Sequence, residues 1–293
     1  MRDGEFTLSY GSTVYTFGPA DLPAIIASAP DLGSAGVRTD DVDRPRADGV
    51  AFGQDYRTGL TLTFDLLVVG ADEAETWENL ATLATAWRAD SVRSDPGEVA
   101  ELTYRLAGRE RTVYGRPRRF AHNDELVHEG VISVLADLST VDDQYYASTA
   151  QSRTVSIAPP AGGGLLAPLS APLTTTATSD RSVVIAVGGA LPAWPVITIE
   201  GPITNPVVDV VGLWRMELTA TLAVDEAVTI DTRPWRRSVL RNVGGSLAGK
   251  FTRASARLSS AALPPGSHEI ALRGTDGTGT AALTVEWRDT YSV

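Results

Sequence analysis

The sequence predicts a mainly β protein in two parts: an N-terminal β-rich belt domain with one α-helix, and a C-terminal antiparallel β-sandwich. Three observations predict it. Asp72–Asp90 (DEAETWENLATLATAWRAD) is the one segment that reads as a long helix. Elsewhere the apolar residues fall in short runs divided by Gly and Pro turns. Between the two parts, Ile157–Asp180 is rich in Gly, Pro, Ala and Thr and carries no charge before Asp180, as a linker would. The expected boundaries are 1–150 for the first domain, 151–182 for the linker and 183–293 for the sandwich.

In order, Glu5–Phe17 reads as a hairpin, with FTLSY and TVYTF on either side of Gly11-Ser12. Gly18–Pro45 is rich in turn formers and reads as irregular. The charged run Arg38–Gly49 (RTDDVDRPRADG) holds Asp40, Asp41, Asp43 and Asp48, but not at EF-hand spacing. With Arg38, Arg44 and Arg46 among the carboxylates, it reads as an exposed, salt-bridged loop. Leu60, Leu62, Phe64, Leu66 and Val68 alternate with polar residues and predict a half-buried strand.

The helix follows. Asp72 with Glu75 three residues on makes a capping-box-like start. Trp77, Leu80, Leu83, Ala84 and Trp87 recur at helical spacing and predict a stripe seated on the domain's sheet. Glu73, Glu78, Asn79, Thr82 and Arg88 form the other face, too acidic for a membrane-surface helix. LTYRLAG and RTVYGRP predict a hairpin turning at Gly108-Arg109, and Glu129–Leu138 a further strand.

The second half predicts strands at RSVVIAVGG, PVITIEG, VVDVVG, RMELTATL, AVTIDT, ARLSS, HEIALRG and AALTVEWRD. Their short, regular spacing argues for a sandwich.

The chemistry-bearing residues are few. There are 25 Lys+Arg against 36 Asp+Glu, a net charge of −11, which argues against general affinity for nucleic acid or anionic membranes. With no cysteine, thiolate metal sites and Cys nucleophiles are excluded. The start of the chain lacks a signal-peptide core and no window is apolar enough for a membrane span, so a soluble protein made in the cytoplasm is expected. His122 and His128 flank Asp124 and Glu125, but the spacing fits no zinc signature. Gly244-Gly-Ser246-Leu-Ala248 is a near miss to a nucleophile elbow, yet no acid lies between Ser246 and His268. Gly277-Thr-Gly279 opens no helix and is no phosphate loop. Nothing singles out a glycosidase-like pair among the carboxylates. Two arginine clusters, Arg116, Arg118 and Arg119, and Arg233, Arg236, Arg237 and Arg241, are expected to pair with carboxylates across protein interfaces. No catalytic, cofactor-binding or metal residue is expected, and the residues alone point to a non-enzymatic protein.

In order along the chain, Val37–Gly70 leading into the helix, Arg116–Tyr146, Pro195–Val208 (PVITIEGPITNPVV), Asp231–Leu240 (DTRPWRRSVL) and LPPGSHEIALRG before Trp287 resemble the distal tail proteins of long-tailed, non-contractile phages. That resemblance implies a virion structural protein at the tail tip. Its N-terminal domain would form a six-fold ring of identical copies at the end of the tail tube. A galectin-like sandwich would project outward, with the tail tube protein and tail-associated hub or fibre proteins as partners. It implies no enzyme, no cofactor and no transferable functional residue. The long segment Gly18–Phe52 shows no obvious compact role, and in such a ring it is expected to form part of the subunit contacts. DNA passes through such a ring without specific binding, so its lumen is expected to be acidic. The competing reading is a carbohydrate-binding or adhesin module in which Trp194, Trp214, Trp235 or Trp287 stacks on sugar; the alternative for these side chains is the sandwich core.

Overall fold

The computed structural model describes residues 1–33, 35–157 and 182–292. It divides into two compact units, one holding Met1–Ser148 with Tyr291 and the other Thr149–Thr290. The middle of the expected linker, 158–181, lies outside the described residues.

The first unit is built on β1 (Phe6–Tyr10), β2 (Thr13–Phe17), β3 (Ala24–Ile26), the short strands β4 (Val37–Arg38), β5 (Val42–Asp43), β6 (Val50–Ala51) and β7 (Tyr56–Arg57), and β8 (Thr61–Val69). After helices α1 (Glu73–Arg88) and α2 (Asp90–Ser94) come β9 (Ala100–Leu106), β10 (Arg109–Asn123), β11 (Val131–Thr140) and β12 (Tyr145–Ala147). The main sheet runs β2-β1-β9-β10-β11-β8-β3. Its two ends meet at Gly18, whose N–H donates to Ala24 O (2.9 Å) and whose carbonyl accepts from Ile26 N (3.1 Å). The sheet is thereby a nearly closed barrel. Gly18 has φ +123, and a Cβ there would lie 2.2 Å from Gly4 O, so this junction requires glycine.

Period-two alternation sets the core. Leu60, Leu62, Phe64, Leu66 and Val68 all point inward, beside Phe6, Leu8, Phe17, Leu102, Ile132 and Leu138. Helix α1 covers this face. Asp72 caps it, accepting from Glu75 N (2.9 Å), and Glu75 reaches back to accept from Ala71 N (2.7 Å). Trp87 is 1% exposed, edge-on to both Phe17 and Phe64 at 6.1 Å, with Nε1–H donating to Asp137 O at 3.3 Å.

The buried stripe differs from the expected one. It is Thr76, Leu80, Leu83, Ala86 and Trp87; Ala84 is half-buried and Trp77 is 38% exposed. Thr76 replaces Trp77 because its hydroxyl is satisfied within the helix, donating to Asp72 O at 2.7 Å, and so can be buried. The helix also stops short of Asp90, where Ala89 turns left-handed (φ 46) and α2 begins. The β9–β10 turn uses Ala107 and Gly108, both at positive φ, one residue before the expected pair.

The second unit contains two five-stranded antiparallel sheets. One is ordered β13 (Gln151–Ser156), β22 (Ala282–Trp287), β15 (Val196–Glu200), β19 (Ala227–Asp231) and β20 (Ser238–Arg241). The other runs β14 (Ser182–Val187), β21 (Gly266–Thr275), β16 (Ile203–Val210) and β17 (Trp214–Glu217), with β18 (Thr221–Leu222) also on β16. Ile197, Ile230 and Val285 of the first share one core with Ile185, Val208, Met216 and Ile270 of the second, which makes a sandwich. Two expectations fail here. Gln151–Ser156 belongs to a sheet, paired with β22 along its whole length, rather than to a linker. Ala256–Ser260 is no strand: Leu258–Ser260 is a 3-10 turn, closed by Ser260 N–H donating to Arg257 O at 2.8 Å.

Candidate subunit interface

The segment expected to be an irregular loop is a folded arm. β4 pairs with β7 and β5 with β6, so the chain doubles back on itself from Val37 to Arg57. The turn at its end is closed by Arg44 N–H donating to Gly49 O at 3.1 Å, with Arg46 and Gly49 at positive φ. Across the legs, the Arg38 guanidinium lies 5.0 Å over the Tyr56 ring, and Gly53 N–H donates to Asp41 Oδ1 at 2.9 Å. At the root, Arg57 pairs with Asp143 at 2.8 Å. Among the described residues no ion pair joins Arg38, Arg44 or Arg46 to Asp40, Asp41, Asp43 or Asp48, so these charges face solvent.

Every residue from 35 to 58 is exposed. The arm nevertheless carries Val37, Val42, Val50, Tyr56 and Phe52, the last 90% exposed. A two-stranded ribbon with no buried face is marginal in water on its own, and an exposed apolar set of this kind marks a candidate contact surface.

A second unfilled surface lies on α1. Trp77, Leu80, Ala81 and Ala84 face Phe120 and His122 of β10 across a groove of 420 Å³. Trp77 and His122 meet edge-on at 6.2 Å. The far half of β10 forms one wall because β9 stops pairing at Ala100, opposite Gly115. A bulge between Pro117 and Phe120 turns Arg118 and Arg119 outward.

The residues weighed for chemistry are kept apart. His122 meets Trp77, whereas His128 Nδ1 is 3.0 Å from Glu73 Oε2. Among the described residues no group of three or more His, Asp or Glu side chains is placed to hold a metal ion. Ser246 Oγ accepts from Ala248 N at 3.3 Å, and His268 Nε2–H donates to Pro264 O at 2.6 Å, so the two form no dyad.

The two strongly shifted carboxylates each serve a turn. Burial pushes Asp142 up to about 6, against the opposing hydrogen bonds from Tyr146 OH (2.6 Å) and Gln144 N–H. For Asp276 burial also pushes upward, but hydrogen bonds from Ala281 N–H, Thr278 OH and Thr278 N–H win and hold it at about 2.

Of the arginines expected at interfaces, several are engaged within their own domain. Arg116 donates to the carbonyls of Asp95 and Glu98, Arg233 pairs with Asp231, and Arg241 pairs with Glu226 at 2.7 Å. Trp214 and Trp287 fill the sandwich core, which leaves only Trp194 and Trp235 half-buried for a sugar. Neither Phe52 nor Phe120 is singled out by sequence periodicity; for Phe52 the signal is an apolar aromatic following a charged run.

No protein-family model matches the sequence, and no curated protein matches it. Solved structures do match its fold. The Dit (gp 19.1) protein of phage SPP1, described as a paradigm of the hub adsorption apparatus in phages infecting Gram-positive bacteria, is similar with a TM-score of 0.57 and 12% identity. The match covers 97% of this chain and 98% of that one. The phage P2 baseplate in its activated conformation is similar in its calcium form (TM-score 0.58, 13% identity, 96% of this chain and 97% of that one). Its strontium form gives a TM-score of 0.57 at 13% identity, with the same coverage. The chain therefore has a Dit-like fold.

Proposed function

We propose that this chain is a structural subunit of the distal tail hub of a long-tailed, non-contractile phage, without catalytic activity. The N-terminal barrel closes with other copies into a six-fold ring at the end of the tail tube, and the sandwich presents baseplate or receptor-binding components. The observation that carries the reading is the likeness across 97% of the chain to a hub protein, with both domains included. The exposed arm adds to it, since a ribbon with no buried residue of its own suits a contact between subunits. The net charge of −11 fits a ring whose lumen lets DNA pass without holding it.

Negative-stain imaging of the full chain tests this reading. Six-fold rings with a lobe projecting from each subunit support it; a uniform field of single particles at every concentration overturns it.

A further inference from the structure

The same chain carries an apolar knob and an apolar slot, and neither is filled from within its own first domain. The knob is Phe52 on the arm, 90% exposed. The slot is the 420 Å³ groove between α1 and the far half of β10, with Trp77 and Phe120 on opposite walls. We propose that Phe52 of one copy seats in the Trp77–Phe120 groove of the next. This deepens the ring reading and rests on it.

Three observations choose a second copy as the occupant. The first is charge. Asp48 and Asp55 flank Phe52 in the chain, while Arg118 and Arg119 stand beside Phe120. None of these four side chains has an ion-pair partner among the described residues, and all four are exposed. At the arm's turn Arg44 and Arg46 are likewise unpaired, and the exposed face of α1 offers Glu78. Seating the arm sets Asp55, on the root side of Phe52, against Arg118 and Arg119, and Arg44 and Arg46, at the turn, against Glu78.

The second is reach. Phe52 stands five residues before Arg57 at the arm's root, which at about 3.3 Å per residue holds it roughly 17 Å out from the barrel, where a neighbouring domain would meet it. The third is symmetry. Knob and slot are different surfaces of one chain, so the contact is head-to-tail, and a head-to-tail contact closes into a ring when its rotation allows. A self-complementary patch would instead stop at a dimer.

The absence of cysteine from the chain permits a direct test. Gln54→Cys, two residues from Phe52, and Ala81→Cys are both exposed positions; neither removes a core side chain, and both leave Phe52 in place. The two single variants are mixed at equal concentration with oxidised glutathione, and Val243→Cys, on the sandwich surface, replaces Ala81→Cys as the control. The proposal expects a covalent dimer of the Gln54→Cys and Ala81→Cys chains, well above the control. For the double variant it expects a ladder ending at the size of the closed ring. If Gln54→Cys fails to pair with Ala81→Cys, or pairs equally with the control, while wild-type protein forms rings, the docking contact is wrong and the ring stands. If neither pairing nor rings form, both are wrong.

Discussion

Arg57 and Asp143 form an ion pair 2.8 Å long at the root of the exposed arm, with the Arg57 side chain in solvent and Asp143 largely buried. The pair ties the last strand of the arm to the loop that follows β11. An ion pair with one exposed partner contributes little to global stability, about 0.2–1 kcal/mol. Arg57→Ala should therefore leave the unfolding midpoint nearly unchanged while making the arm an easier protease target. Limited proteolysis of both proteins, with cleavage sites mapped by mass, checks this: faster cutting between residues 35 and 58 is expected, and equal rates would refute the anchoring role.

Trp87 is the largest fully buried side chain of the barrel. Truncation leaves a cavity between α1 and the sheet and frees the Asp137 carbonyl. Trp87→Ala should cost about 3–5 kcal/mol, read by denaturant unfolding of the full chain with fluorescence and circular dichroism. Trp77→Ala, on a surface open to solvent, should cost far less. Equal costs would show that the helix sits in a different rotation.

Asp142 gives the barrel a definite pH dependence. Its folded pKa of about 6 lies above the ordinary carboxylate value, so its contribution is fully present below that ordinary value and is lost as pH rises through about 6. Asp142→Asn removes the cost of a buried charge. At pH 7.5 the variant should be more stable than wild type by about 1–3 kcal/mol, and the gap should close near pH 4. A variant less stable at both pH values would contradict the assignment.

Asp276 runs the opposite way. Its pKa of about 2 lies below the ordinary value, so its contribution is present above the unfolded pKa and is lost as pH falls toward 2. Asp276→Ala breaks the turn between β21 and β22 and leaves Ala281 N–H buried without its acceptor. A loss of about 1–3 kcal/mol is expected between pH 5 and 8, shrinking below pH 4. Thermal unfolding across that range reads it directly.

Much of this architecture was legible in the residues. β8 declares its inward face through four alternating apolar residues, Leu62, Phe64, Leu66 and Val68, and α1 its start through Asp72 and Glu75, because both signals are local. The errors arise where tertiary context decides. Thr76 is buried and Trp77 exposed because a helix stripe can rotate by one residue once a hydroxyl is satisfied internally. Gln151–Ser156 looks like linker because its alternation is weak (only Val155 is buried) and its pairing with β22 is more than a hundred residues away. Ala256–Ser260 has strand-like composition, but the local hydrogen bond from Ser260 to Arg257 closes it into a turn. The arm was hidden because four two-residue strands have no periodicity to read. The groove joins α1 to β10 and belongs to no single stretch of sequence.

Native mass measurement of the full 31.0 kDa chain over a range of concentrations decides whether the first domain meets copies of itself. A closed six-copy species that persists on dilution to well below the loading concentration is expected. A monomer at every concentration, with its arm protected from protease, would show that the arm is satisfied within its own chain and that no ring forms.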